Sequence, residues 1–400
     1  MPWLQRALIL AAVAGITLFL IAFLAPSLST STTYSVSSSR NPLGGLWATS
    51  TESQAILVIH HLETPEPLKA LYMTSCVAGT PSWRDSLKRF IETTELNAIV
   101  IDIKDYTGVV SFPNDFPKTF IGPGLVAQPG CSVSDMGEFI QTLHEAGIYV
   151  IGRISVFQDP SYTKLFPELA VKKKSDGTVW KDYKNLSFID VGARPYWGYI
   201  VELSKQAYEL GFDEINYDYV RYPSDGNMQD VLYAWAVGTT TKPEMLKTFF
   251  EYLHDNLKDT GAKLSVDLFG MTTTVENDMN IGQLLENALP YFDHVSPMVY
   301  PSHYPPTWNG FINPAEYPYE VVKIAMTRAI EREQLWFIAN NIATSTPSKL
   351  RPWLQDFSLG AVYGPDKVRA QIQATYDSGL SSWMLWNAGN KYTAAALLPE

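Results

Sequence analysis

The sequence predicts an α/β fold, a (β/α)8 barrel of TIM type, on three observations. From Leu68 onward, short apolar runs of strand length alternate with amphipathic segments of helix length. The strand-length runs number eight, the count that closes into a barrel. The turn after the first run, Ser75-Cys76-Val77-Ala78-Gly79, lacks the glycine fingerprint of an open dinucleotide-binding sheet, the architectural alternative.

In chain order the strand candidates are Lys69–Thr74, Ala98–Lys104, Ile148–Ile154, Glu214–Val220, Lys263–Phe269, His294–Tyr300, Leu350–Asp356 and Ser381–Trp386. The helix candidates between them are Trp83–Thr94, Asp135–Ala146, Pro195–Leu210, Pro243–Asp259, Ile281–Leu289, Pro318–Arg332 and Asp366–Ser378. Gly147, Gly211, Gly261 and Gly379 stand where helices should stop, because a glycine takes the left-handed C′ position without a Cβ clash. Strands buried on both faces need helical crossovers, which wind right-handed. The segments 105–134 and 155–194 are long for connections, and in such a barrel long loops gather on the C-terminal face, where sites are built.

The expected organisation is residues 1–26 as a signal anchor or signal peptide, 27–66 as a Ser/Thr-rich linker with an added strand near Ala55–Ile59, and 67–400 as the barrel. Arg6 precedes an uncharged run from Ala7 to Ala25, and nineteen helical residues span roughly 28 Å, close to a bilayer core. The length favours an uncleaved transmembrane anchor over a cleaved signal peptide, and Arg6 on the inner side places the barrel outside the cytoplasm. The formal net charge of −11 repels phosphate backbones, so nucleic acid is excluded as a partner. Two cysteines, Cys76 and Cys131, cannot build a disulfide framework. Both follow adjacent strands, so a bridge between them and two free thiols both remain open. No Cys/His spacing suggests a zinc site, and neither metal nor cofactor is expected.

Chemistry-bearing residues collect at the strand ends. The second strand ends with Asp102 and Lys104, the third with Arg153, and the fourth with Asp218 followed by Arg221. The fifth carries Asp267, the sixth ends at Tyr300 with His303 beyond it, the seventh holds Trp353 and Asp356, and the eighth ends at Trp386. Any one of the acids alone reads as a helix cap or a partner for an arginine. Carboxylates near the same end of four strands are not what core packing selects. Glu214, Asn216 and Asp218 make one face of the fourth strand polar, and a polar face inside a barrel must be hydrogen-bonded, with Arg153 the natural partner. Paired carboxyl groups suit glycosidic bond cleavage, in which one protonates the leaving oxygen and the other attacks or activates water. Aromatic residues make up 13% of the chain, which suits either a large core or rings that stack on sugars. The rings to watch are Trp180, Tyr219, Tyr300, Tyr304, Trp308, Trp353 and Trp386.

The segment GFDEINYDYVRYP resembles the strand-four motif of chitinase-like enzymes, D-G-x-D-x-D-x-E. Asp213 and Asp218 match its first and third acids, Asn216 replaces the middle one, and Val220 stands where the catalytic glutamate belongs. That family's substrate-assisted chemistry is therefore not expected here. The chain more closely resembles a bacterial family described as a "putative glycosyl hydrolase domain", of TIM-barrel type. The resemblance rests on NAIVIDIKD (97–105), FDEINYDYVRYP (212–223), VSPMVYPSHY (295–304) and RPWLQDF (351–357), and runs from about Leu68 to the C-terminus. The segment Leu335–Lys349 departs from it. The resemblance implies a barrel and a carbohydrate substrate.

Three function classes follow. The leading expectation is a glycoside hydrolase acting on an extracytoplasmic polysaccharide or cell-wall glycan. Asp218 would be its nucleophile or base and Asp267 or Asp356 its acid, with Asp102, Lys104, Arg153, Arg221, Tyr300, His303, Trp353 and Trp386 binding substrate. A non-catalytic glycan-binding barrel at the cell surface would keep the rings but lack a correctly spaced acid pair. A metal-dependent hydrolase needs His/Asp ligands that six histidines, with only His303 near the face, do not supply.

Overall fold

A computed structural model describes residues 59–113, 131–236 and 238–400. Residues 57–400 make up one unit. Its eight barrel strands are β1 (Lys69–Met73), β2 (Ala98–Lys104), β3 (Tyr149–Ser155), β4 (Glu214–Asp218), β5 (Lys263–Phe269), β6 (His294–Met298), β7 (Trp353–Gln355) and β8 (Trp383–Trp386). Each pairs in parallel with its neighbours in sequence, and β8 closes the ring on β1 through Lys69↔Trp383, Ala70↔Met384 and Leu71↔Leu385. The expected (β/α)8 architecture is thus present. The proposed apolar helix 7–25 and the strand near Ala55 fall outside the described residues, apart from Ile59. Among the described residues, no helix is long and apolar enough to cross a membrane.

Alternation along each strand sorts side chains to two cores. Leu71, Ile99, Ile101, Val150, Ile215 and Val266 face the surrounding helices, while Ala70, Tyr72, Ala98, Val100, Tyr149, Ile151, Trp353 and Met384 fill the interior. The lower interior layer is held by a buried ion pair. Arg351 reaches Glu214 with both terminal nitrogens, through Nη1 at 3.3 Å and through a shorter contact from Nη2. The helices begin where proline or a cap presets them. The helix Lys242–Leu257 has proline in its first turn and a capping box between Thr241 and Glu244. The helix Arg194–Leu210 ends at Gly211, whose φ of 121° would strain any residue with a Cβ.

Two local expectations needed correction. The segment Ile281–Leu289 is helical only over Leu285–Ala288, because Met279, Asn280 and Gly282 all sit at positive φ ahead of it. The helix from Pro318 continues past Arg332 to Ala339 and absorbs the start of the 335–349 insertion. Just ahead of the barrel, the Leu62 N–H donates to Asp213 Oδ1 at 2.8 Å, and His61 stacks on Tyr208 with ring centroids 3.9 Å apart. Cys76 and Cys131 are disulfide-bonded, joining the turn after β1 to the end of the long connection after β2.

Candidate active site

At the C-terminal end of the barrel, one guanidinium organises three carboxylates. Parallel pairing sets Asp102 beside Arg153, and Ser155 beside Asp218, so the acids of β2 and β4 flank the arginine of β3. Arg153 Nη1 donates to Asp102 Oδ1 at 2.7 Å, Nη2 donates to Asp218 Oδ2, and Nε lies 4.0 Å from Asp267 Oδ2. All four residues are buried. A guanidinium placed among carboxylates offsets the cost of burying each of them, and the geometry is held by charge-assisted hydrogen bonds. Aromatic rings line the arginine as well. Its carbon centre lies 4.9 Å from the Trp386 ring and 5.5 Å from the Tyr72 ring, and these two rings stack on each other at 4.0 Å.

The surroundings separate the acids chemically. Asp267 is pushed up to about 8, first by burial and then by the neighbouring Asp218 charge; Arg153, Asn216 and Trp353 oppose this but do not cancel it. Asn216 Nδ2 donates to its Oδ1 at 2.9 Å and Trp353 Nε1 donates to the same oxygen at 2.8 Å, which leaves Oδ2 on the Arg153 side. Asp102 rises to about 6 through burial, restrained by Arg153 and by the Tyr72 hydroxyl, which donates to it at 2.5 Å. Burial alone would lower Arg153, but the Asp218 and Asp102 charges outweigh it and hold the guanidinium charged. Burial together with the Asp267 and Asp218 charges keeps Tyr300 a neutral phenol. Asp218 accepts the N–H of Tyr219 at 2.6 Å, and Tyr219 itself adopts φ 52°, a left-handed conformation that costs a non-glycine residue about 1 kcal/mol or more. Non-glycine residues in such conformations cluster at sites where the surrounding structure imposes the geometry.

These groups open into a cavity of about 590 Å³. Of the residues predicted from sequence, Asp218, Asp267, Arg153, Arg221, Tyr300, His303 and Trp386 line it. Four do not. Asp102 stands behind Arg153. Trp353 is fully buried and serves Asp267 instead of offering a sugar platform. Lys104 is fully buried, 2.8 Å from Asp159, and donates to the Ser155 and Val156 carbonyls. The β2–β3 register shifts between Asp102 and Lys104, so Lys104 does not repeat the direction of Asp102. Asp356 accepts the Thr393 amide at 2.8 Å and its hydroxyl at 2.6 Å, which ties down the C-terminal segment away from the cavity. Asp356, expected as a third carboxylate of the site, does not line the cavity. Among the rings to watch, Tyr219 and Tyr304 line the cavity, whereas Trp180 is packed elsewhere and donates to the Asn227 carbonyl at 3.0 Å.

Sequence reasoning missed Tyr72 and the part played by Asn216, together with the apolar lining of Phe269, Met298 and Phe357. Strict alternation offered one signal: Ala70 and Tyr72 share a face of β1, so Tyr72 had to point inward.

A closed eight-stranded parallel barrel with buried acids at its C-terminal mouth places the chain among the TIM barrels. Within that class the chain belongs to the family described as "putative glycosyl hydrolase domain", which it matches over residues 70–392. A hypothetical protein from Ruminiclostridium thermocellum, known by crystal structure, is 32% identical; the match covers 49% of this chain and 96% of that one, with a TM-score of 0.44. The PgaB (BpsB) glycoside hydrolase domain from Bordetella bronchiseptica is 12% identical, with 80% of this chain and 94% of that one covered and a TM-score of 0.57. Alpha-L-fucosidase isoenzyme 2 from Paenibacillus thiaminolyticus is 12% identical, with 82% and 47% covered and a TM-score of 0.53. At 12% identity these last two show the shared fold. No curated protein matches the chain.

Proposed function

We propose that the chain is a glycoside hydrolase acting on an extracytoplasmic polysaccharide or cell-wall glycan, with Asp267 as the acid and Asp218 as the nucleophile or base. The observation that carries this reading is the pair itself. Asp218 and Asp267 line one cavity and share one guanidinium, and Asp267 keeps its proton up to about 8 while Asp218 is ion-paired. A carboxyl that holds its proton, facing a second carboxyl across one cavity, is what acid-assisted glycosidic cleavage requires. Asp267 would pass its proton to the glycosidic oxygen as the bond to the anomeric carbon breaks. Asp218 would attack that carbon or take a proton from the attacking water, and the separation of the two carboxyls in the sugar complex decides between retention and inversion. Arg153, Tyr300 and Trp386 would hold the sugar ring and the developing charge. An extracytoplasmic location, with the N-terminal apolar run as membrane tether, is supported by the run itself and by the Cys76–Cys131 bond, since such bonds persist in oxidising compartments.

The test is a panel of glycan fragments assayed with wild type, Asp218→Asn, Asp267→Asn and Asp356→Asn. Each of the first two should lose activity by a factor of about 100 or more while remaining folded. Asp356→Asn should lose stability more than turnover. Activity within a few-fold of wild type in either cavity variant removes that residue from the chemistry. Binding without cleavage by wild type would mark a glycan-binding barrel instead.

A further inference from the structure

The cavity holds a second cation whose surroundings differ from those of Arg153. Arg221, just beyond β4, is half-buried on the cavity wall and forms no ion pair among the described residues. Its position is nevertheless fixed. The guanidinium carbon lies 4.8 Å from the Phe269 ring, 5.2 Å from the Tyr219 ring and 5.9 Å from the Phe188 ring. Nη1 donates to the Tyr222 carbonyl at 3.1 Å and to the Ser224 hydroxyl at 3.3 Å. Those contacts use one terminal nitrogen. Among the described residues Nε and Nη2 have no hydrogen-bond partner, and neither is sealed off from solvent. That free edge is the pair of parallel donors that a carboxylate or sulfate engages bidentately.

The nearby acids do not serve as the missing partner. Asp218 is engaged by Arg153, and Asp182 by the Lys184 and Leu186 amides at 2.9 and 2.8 Å. Asp225 lies exposed on the following loop. Burial lowers Arg221 from its usual range, opposed by the charges of Asp218, Asp182 and Asp225, and none of these carboxylates lies within ion-pair distance of it, so a cation stands partly desolvated without a direct partner. On the same rim, His303 is held toward its neutral form by burial and by the Lys184 charge. The cavity therefore has an acidic floor and, in Arg221, one cation on its wall that the proposed bond cleavage does not need.

We infer that the glycan taken by this site bears an anionic substituent, a uronic acid carboxylate or a sulfate ester, which docks on the Nε–Nη2 edge of Arg221. The inference rests on the glycoside hydrolase reading and narrows its substrate class.

Binding can be measured apart from turnover by titration calorimetry of the full chain carrying Asp218→Asn. The ligands are oligouronates, the same oligomers with each carboxylate reduced to CH2OH, and a sulfated analogue of the reduced oligomers. The acidic or the sulfated oligomer should bind about tenfold or more tightly than the reduced one, the gain expected from a charge-assisted bidentate contact. That ratio should shrink with added salt in the Asp218→Asn protein, a readout that needs no change at Arg221. Arg221→Gln should bring the ratio to about one, and Arg221→Lys should restore part of it. Whichever anion shows the Arg221-dependent preference identifies the substituent. Equal binding of acidic, sulfated and reduced oligomers, or no binding of any, overturns the inference. Cleavage of neutral glycans by wild type with no anion preference overturns it alone and leaves the hydrolase reading intact. Arg221-dependent binding of an anionic oligomer that wild type never cleaves does the reverse.

Discussion

If Asp218 and Asp267 act as a pair, removing the charge of one must move the titration of the other. Asp218→Asn keeps the side-chain shape and deletes the negative charge that, after burial, contributes most to holding Asp267 high. Two unit charges about 5 to 7 Å apart interact by about 2 to 3 kcal/mol at an effective dielectric of about 20. That energy corresponds to about two pH units. Arg153, released from Asp218, would also be freer to favour the charged form of Asp267, a change in the same direction. The Asp267 midpoint should therefore fall by about two pH units from its raised position. Carbon-13 NMR of labelled aspartate carboxyls would follow it directly, with the signal assigned by its loss in Asp267→Asn, and no substrate is needed. Trp353→Phe supplies the opposite perturbation: it removes a donor to Asp267 Oδ1, which should raise the midpoint. An unchanged or increased midpoint in Asp218→Asn would refute the coupling and leave burial alone as the origin of the Asp267 proton.

The same proton has a consequence for stability. Folded Asp267 holds its proton well above the range near 4 in which an unfolded aspartate releases it, so wild type should lose stability as pH rises through that window. Asp267→Asn should remove this slope, gaining a few kcal/mol on wild type toward pH 8 and converging with it near pH 4; parallel urea-denaturation profiles would contradict this. A Cβ at Gly270 would lie 2.4 Å from the Met298 carbonyl and 2.8 Å from the Tyr304 hydroxyl, so Gly270→Ala should cost about 1–3 kcal/mol in equilibrium unfolding. Wild-type stability in that variant would show that the cavity wall yields more easily than its packing implies.

The barrel was legible because its strands are sharply bounded. Ala98–Lys104 and Lys263–Phe269 span in the structure the residues that their apolar runs mark in sequence. Strand seven was overread at Leu350–Asp356. Pro352 has no N–H to give, and only Trp353–Gln355 forms the strand. At the site, strand-end position located Arg153, Asp218 and Asp267, because alternation and parallel register project such residues into one mouth. It failed for Lys104, where a register shift intervenes, and for Asp356, whose partner Thr393 lies far along the chain in a loop with no periodicity to announce it. Arg351 and Glu214 pair inside the barrel, although their separation of 137 residues gave no hint of contact.

Where the leading segment joins the barrel has a practical meaning. Leu62 meets Asp213 immediately before β4 begins, and His144 and the Val150 amide converge on the same carboxylate, at 2.9 and 2.8 Å, where β3 begins. The chain thus arrives at the blunt end of the barrel, and the cavity opens at the other. A tag, resin or fluorophore joined directly at residue 59 would load the closed end and leave the mouth clear. Long polymers could then be presented to the immobilised barrel without obstruction from its own support.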